Sequence, residues 1–304
     1  MNRRGWIAAS LGLLGAAFAS NVRAQGLTPL DVAYAGSMGS MMEGPVKAAV
    51  AATLGIEMHG RAQGSDALAQ LIVGGSIPVD VFVPVTPGPM MTVLEAGKAN
   101  HAVPIARTEM VIAYSPKSSF ANAFARAGKP GAMPWYEILQ QPGVRFGRTD
   151  PATDPQGRNV IFTMQLAQAY YHQPGLAQKI LGEMINAAQI FAEPTVEARL
   201  QSGELDAASA YRIQPGPFGL PFVTLPDEIN LGNASMHAAY QRASLELNGK
   251  IYHPQALVYY AATIAAAAHA EKAAAFVQWL SGWQAQAILR KYAYDPPIGA
   301  TALS

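Results

Sequence analysis

Cysteine is absent from the 304-residue sequence, which removes disulfides and thiolate metal sites at once. Charge of one sign is scarce too: 21 Lys and Arg against 20 Asp and Glu leave a formal net charge of +1. No basic field is available for nucleic acid, so any anion site must be local. After the first 24 residues, no segment reaches the 18 or so apolar residues that a membrane span requires. The six histidines, His59, His101, His172, His237, His253 and His269, are scattered without metal-ligand spacing. Met38, Met41 and Met42 cluster, but without other soft ligands they do not read as a copper site. Neither a Gly-x-Ser-x-Gly frame nor a Ser-His-Asp order is present, so no nucleophilic enzyme is legible.

What is present begins with an atypical start. Asn2-Arg3-Arg4 is basic, Trp6 to Ala19 is apolar, and Val22-Arg23-Ala24 gives a small-x-small end before Gln25. This is the pattern of a secretory signal peptide over 1–24, cleaved after about Ala24, with the mature chain expected to be soluble and in the periplasm. Removing its three arginines leaves a mature charge of about −2. The remaining 280 residues are enough for one large domain or two moderate ones, with a core that needs no disulfide.

The pattern along the chain is strand then helix, repeated. Leu30 to Ala35 predicts a strand running into Gly36-Ser37 and a helix from about Met41 to Leu54. Ile56 to Ala62 is extended, Gly64-Ser65 turns, and Leu68, Leu71 and Ile72 fall at helical spacing. Asp80 to Val85 is a further strand and Met90 to Ala96 a short helix, which together argue for a parallel sheet covered on both faces. A second α/β set follows: strands at Met110–Tyr114, Arg145–Arg148, Ala188–Ala192 and Ala207–Tyr211, with helices over Gly157–Tyr171 and Val196–Leu200. Tyr259-Tyr260 reads as strand packing, and Ala265–Trp279 and Trp283–Tyr292 as helices.

Two strands end in Gly-Ser where a helix begins, at Gly36-Ser37 and Gly64-Ser65. The ordinary account is a serine N-cap, worth about 1 kcal/mol. The functional account is that both turns lie at the carboxyl ends of strands, where an open α/β sheet binds ligands and helix N-termini offer free amides to an anion. A third turn, Asp154-Pro155-Gln156-Gly157, has Asp154 placed to cap the next helix. A carboxylate there repels an oxyanion unless the ligand expands its coordination or brings a proton.

These turns also carry a resemblance. Together with Trp135-Tyr136-Glu137-Ile138-Leu139-Gln140, Val144-Arg145-Phe146-Gly147 and Leu225-Pro226-Asp227-Glu228-Ile229-Asn230-Leu231-Gly232, they make the chain similar to the molybdate/tungstate-binding proteins of ABC importers, in their tungstate-type branch. The resemblance implies an α/β, two-lobed periplasmic-binding-protein fold (type II), each lobe a mostly parallel sheet flanked by helices, with the ligand in the interlobe cleft. The expected lobes are 25–108 plus 231–304, and 109–230, with hinges near Thr108 to Val111 and Leu225 to Asn230. Ser37 and Ser65 would donate hydroxyl bonds to the oxyanion. Backbone around Gly36, Met38, Gly64, Gln156 and Gly157 would complete the shell, Asp154 would approach the metal, and Tyr211 would stand behind. No cofactor beyond the bound molybdate or tungstate is implied. The partners would be an ABC permease and its ATPase, served by a monomer.

Two positions depart from the family pattern. Ala210 falls where a second carboxylate is expected, which favours a tetrahedral dianion over six-coordinate binding, and Arg158 follows Gly157 as an unexpected cation. The rival readings are a binding protein for sulfate, phosphate or an organic anion, an exported enzyme on the same fold, and a sensor that presents its ligand to a membrane receptor.

Overall fold

The computed structural model describes residues 26–304; the expected signal peptide lies outside the described residues. Strand β1 (Thr28–Ala35) alternates Leu30, Val32 and Tyr34 into one apolar cluster and Ala33 into another. A strand covered on both faces by apolar packing belongs in a sheet interior. It pairs in parallel with β2 (Ile56–Gln63) and with β3 (Val81–Val83), and the sheet is completed by β11 (Val258–Thr263) and β4 (Val103–Arg107) in the order β2-β1-β3-β11-β4. The second sheet has the order β6-β7-β5-β8, from Phe146–Gly147, Ala207–Tyr211, Met110–Tyr114 and Phe222–Thr224 respectively. A hairpin of β9 (Leu245–Leu247) and β10 (Lys250–Tyr252) stands apart from both.

The two-lobed α/β architecture is present, but the sheets are mixed rather than mostly parallel. β11 runs antiparallel to both β3 and β4, and β5 runs antiparallel to both β7 and β8. The strand-then-helix rhythm reports local connections, and β11 arrives only after the chain has built the second sheet. The expected strand over 188–192 is a single parallel bridge, Ile190 with Arg148. Arg148 itself is fully buried, its guanidinium donating to Gln189 Oε1 and to the carbonyls of Glu183 and Met184.

The chain passes between the sheets at Thr108-Glu109 and again through Leu225 to Leu257, and the two passages lie side by side. Met110 N–H donates to Asn230 O at 2.7 Å and Leu257 N–H to Leu231 O at 2.8 Å. Asn230, buried, gives its amide to Glu109 Oε2, Leu225 O and Asp227 Oδ1 and accepts from Gly232 N–H. A Cβ on Gly232 would sit 2.8 Å from Glu109 Cβ and 2.9 Å from Thr108 O, so the crossing requires glycine. Arg107, Glu109, Arg212 and Asp295 form an ion cluster around it, in which burial pushes the Glu109 carboxyl up while Arg212 and Arg107 oppose the rise.

Candidate functional site

Parallel pairing of β1 with β2 sets Ala35 opposite Gln63. Adjacent strands are about 4.8 Å apart, so the turns that follow, Gly36-Ser37 and Gly64-Ser65, emerge side by side at the carboxyl edge of the sheet. Neither serine is a helix cap. The turn at Gly36–Met38 and the helix Ser65–Val73 have Ala35 and Gly64 at their N-caps and no side-chain cap bond. Ser65 Oγ instead accepts the Val85 N–H at 3.1 Å, which leaves its hydrogen free to donate. Ser37 Oγ lies 2.9 Å from the Tyr259 hydroxyl, and Tyr294 OH donates to Ser37 O at 3.2 Å. Burial holds the Tyr294 phenol far above its usual range, so it remains a donor. Either hydroxyl can donate in the Ser37–Tyr259 bond, and where Tyr259 donates, the Ser37 hydrogen is left for a ligand.

Across from the serines stand residues of the second sheet and of the helix Pro155–Tyr170. Asp154 caps that helix, its Oδ1 accepting Gln156 N–H at 2.8 Å. Burial pushes the Asp154 carboxyl above the usual range, opposed by the Gln156 amide and the nearby Arg158 charge. Tyr211, at the end of β7, receives a hydrogen bond from Asn159 Nδ2 at 3.0 Å. A cavity of about 60 Å³ lies between the two sets, lined by Gly36, Ser37, Gly64 and Ser65 on one side and Asp154, Pro155 and Tyr211 on the other, with Ala35 and Val85 below. At the N-terminus of the Ser65 helix the first amides have no intrahelical partner.

Three expected residues do not line the cavity. Met38 is fully buried in the core. The Gln156 amide is committed to Asp154, and its side chain donates to Ser209 O. Gly157 is glycine for packing: a Cβ would lie 2.5 Å from Thr149 O and 2.7 Å from Pro151 N. Ala210 is no missing ligand either, because successive strand residues face opposite ways. It packs with Leu200 and Leu220, in a cluster on the far face of the sheet from Tyr211. Arg158 neither faces open solvent nor pairs directly with Asp154. Its guanidinium reaches Asp66 Oδ2 at 3.5 Å and lies 4.7 Å from the Tyr252 ring centre. That ion pair joins the two helices that flank the cavity.

Among the described residues no group of His, Cys, Asp and Glu could hold a free metal ion, and no helix is long and apolar enough to cross a membrane. The model of the bacterial extracellular solute-binding protein family matches residues 30–295. The chain belongs to that family. This solute-binding protein is 30% identical over 217 residues to the molybdate/tungstate-binding protein WtpA of Pyrococcus abyssi, covering 64% of this chain and 62% of that one. It is 29% identical over 217 residues to the protein of the same name from Thermococcus kodakarensis, covering 64% and 60%. The chain thus spans less than two thirds of the length of these curated relatives. The periplasmic molybdate-binding protein of Azotobacter vinelandii superposes with a TM-score of 0.58 at 18% identity, covering 88% of this chain and 99% of that chain, a likeness of fold.

Proposed function

We propose that this chain is the periplasmic solute-binding component of an ABC importer, and that it carries a tetrahedral oxyanion, molybdate or tungstate, in the cavity between Ser37, Ser65, Asp154 and Tyr211. The observation that carries the reading is the parallel register of β1 and β2, which sets two serine hydroxyls side by side over a cavity of about 60 Å³. Sites for drug-sized organic ligands run to roughly 300–1,000 Å³, so this one suits a small ion. Two relatives named for molybdate and tungstate support the choice of ion. The Ser65 hydroxyl and the first amides of its helix are donors, which favour a fully deprotonated dianion.

The second reading, phosphate, rests on Asp154, the one carboxylate among the described residues that line the cavity and the natural acceptor for a protonated ligand. With a single carboxylate, a hydrogen-bonded tetrahedral dianion is favoured over an expanded coordination sphere. The lobes are taken as 25–108 plus 231–304, and 109–230, closing about the crossings at Thr108–Val111 and Leu225–Asn230. The closed monomer, processed after Ala24, delivers its ligand to the permease and its ATPase.

Equilibrium dialysis of residues 25–304 against molybdate, followed by metal quantification, tests the reading. Retention of one equivalent supports it, and no retention above the buffer contradicts it.

A further inference from the structure

Beside the oxyanion cavity lies a much larger one, of about 490 Å³, which shares Ser65, Val85 and Pro155 with it. Its size falls in the range of small-molecule sites, and a bare tetrahedral ion would rattle in it. The floor is apolar, with Phe162, Pro89 and Tyr252. The rim is cationic: of its charged residues, Arg158 and Lys250 outnumber Asp66, with His237 and His253 nearby.

The two cations meet at one ring. The Arg158 guanidinium lies 4.7 Å and the Lys250 ammonium 4.8 Å from the centre of Tyr252. Both cations also line the cavity, and an anionic occupant beside them would offset the positive charge gathered there. Lys250 has no carboxylate partner among the described residues. Arg158 is already placed for carboxylate contact, since it holds Asp66 at 3.5 Å, and Asp66 is exposed. Gln255 accepts the Gly88 N–H through Oε1 and keeps its amide nitrogen free to donate.

From this combination we infer a second ligand subsite in the cleft, which takes a small organic carboxylate with an apolar body, its charge held by Arg158 and Lys250 and its body resting on Phe162 and Tyr252. The inference goes beyond oxyanion carriage and does not require it. The cavity is large enough for an aromatic dicarboxylate, and its shared wall places that molecule next to the oxyanion. Contacts come from both the Ser65 and Pro155 helices, so an occupant here also favours the closed arrangement.

The test is calorimetric titration of the 25–304 protein with phthalate, and with its uncharged dimethyl ester, in the presence and absence of molybdate. Phthalate is expected to bind one-to-one and at least about tenfold more tightly than the ester, with affinity falling as salt rises. Lys250→Gln should weaken phthalate by about tenfold or more and leave molybdate binding unchanged. Arg158→Gln should weaken phthalate as well, with circular dichroism confirming the fold. The subsite is overturned by absence of phthalate binding at millimolar concentration, by equal binding of the ester, or by indifference to Lys250→Gln. It is also overturned if phthalate binding is lost in Ser37→Ala/Ser65→Ala and kept in Lys250→Gln, which would place phthalate in the oxyanion cavity. Failure of molybdate to bind beside Lys250-dependent phthalate binding would defeat the proposed function and leave the subsite standing.

Discussion

Ser65 lines the cavity and accepts the Val85 amide through its hydroxyl oxygen, which leaves the hydroxyl hydrogen available to a ligand, so its substitution has two separable effects. Removing the hydroxyl orphans a buried amide, at a cost of about 1–3 kcal/mol in stability, and deletes a donor to a charged ligand, worth about 1.5–3 kcal/mol in binding. Ser65→Ala is expected to lower Tm by a few degrees and oxyanion affinity by about ten- to a hundredfold. Ser37→Ala, with its partner Tyr259 on the solid floor of β11, should cost affinity with less loss of stability. The double variant should abolish most binding while staying folded, as judged by circular dichroism and titration. Asp154 works in the opposite sense. Its carboxyl is raised by burial, and a charged carboxylate repels a dianion while a protonated one can donate to it. Oxyanion affinity should therefore rise as pH falls from neutral through the raised Asp154 value, and Asp154→Asn should flatten that dependence. Loss of all binding in Asp154→Asn would instead indicate direct coordination of the metal.

At the scale of elements, the helix Pro155–Tyr170 is seated by Gly157 on the backbone of Thr149 to Pro151. Gly157→Ala forces that backbone to shift, with an expected loss of about 1–3 kcal/mol in urea unfolding, and it displaces Asp154 with the helix. The Asp66–Arg158 pair spans the Ser65 and Pro155 helices. Because Asp66 is exposed, Asp66→Asn should change oxyanion affinity by no more than about fivefold, the scale of a surface ion pair. Much of this was legible beforehand. Glycine followed by serine at two strand ends, and Asp-Pro before a helix, are local chemistry, and local chemistry is written in sequence. The contribution of Val85 to Ser65, of Tyr259 and Tyr294 to Ser37, and of Asp66 to Arg158 was not, since each partner comes from elsewhere in the fold. The blocks that carried the resemblance most specifically turn out to hold the molecule together. Trp135 and Tyr136 pack with Tyr171 in an aromatic cluster, and Asn230 ties the two chain crossings.

The whole molecule is two mixed sheets joined by paired crossings, with the candidate cavity between them. On the proposed reading closure would spend part of the binding free energy, so that a change far from the ligand would alter affinity. Gly232 lies in the tightest part of the crossing, and Gly232→Ala is expected to weaken oxyanion binding without touching the cavity. Small-angle scattering should show a compaction on ligand addition in the wild type that the variant makes only partly. The central claim is best tested by isothermal titration of the 25–304 protein with molybdate, tungstate, sulfate and phosphate at one pH and one salt concentration. Tight one-to-one binding of molybdate or tungstate with little response to sulfate is the predicted result; silence toward both metal oxyanions, with binding of another anion, would contradict it.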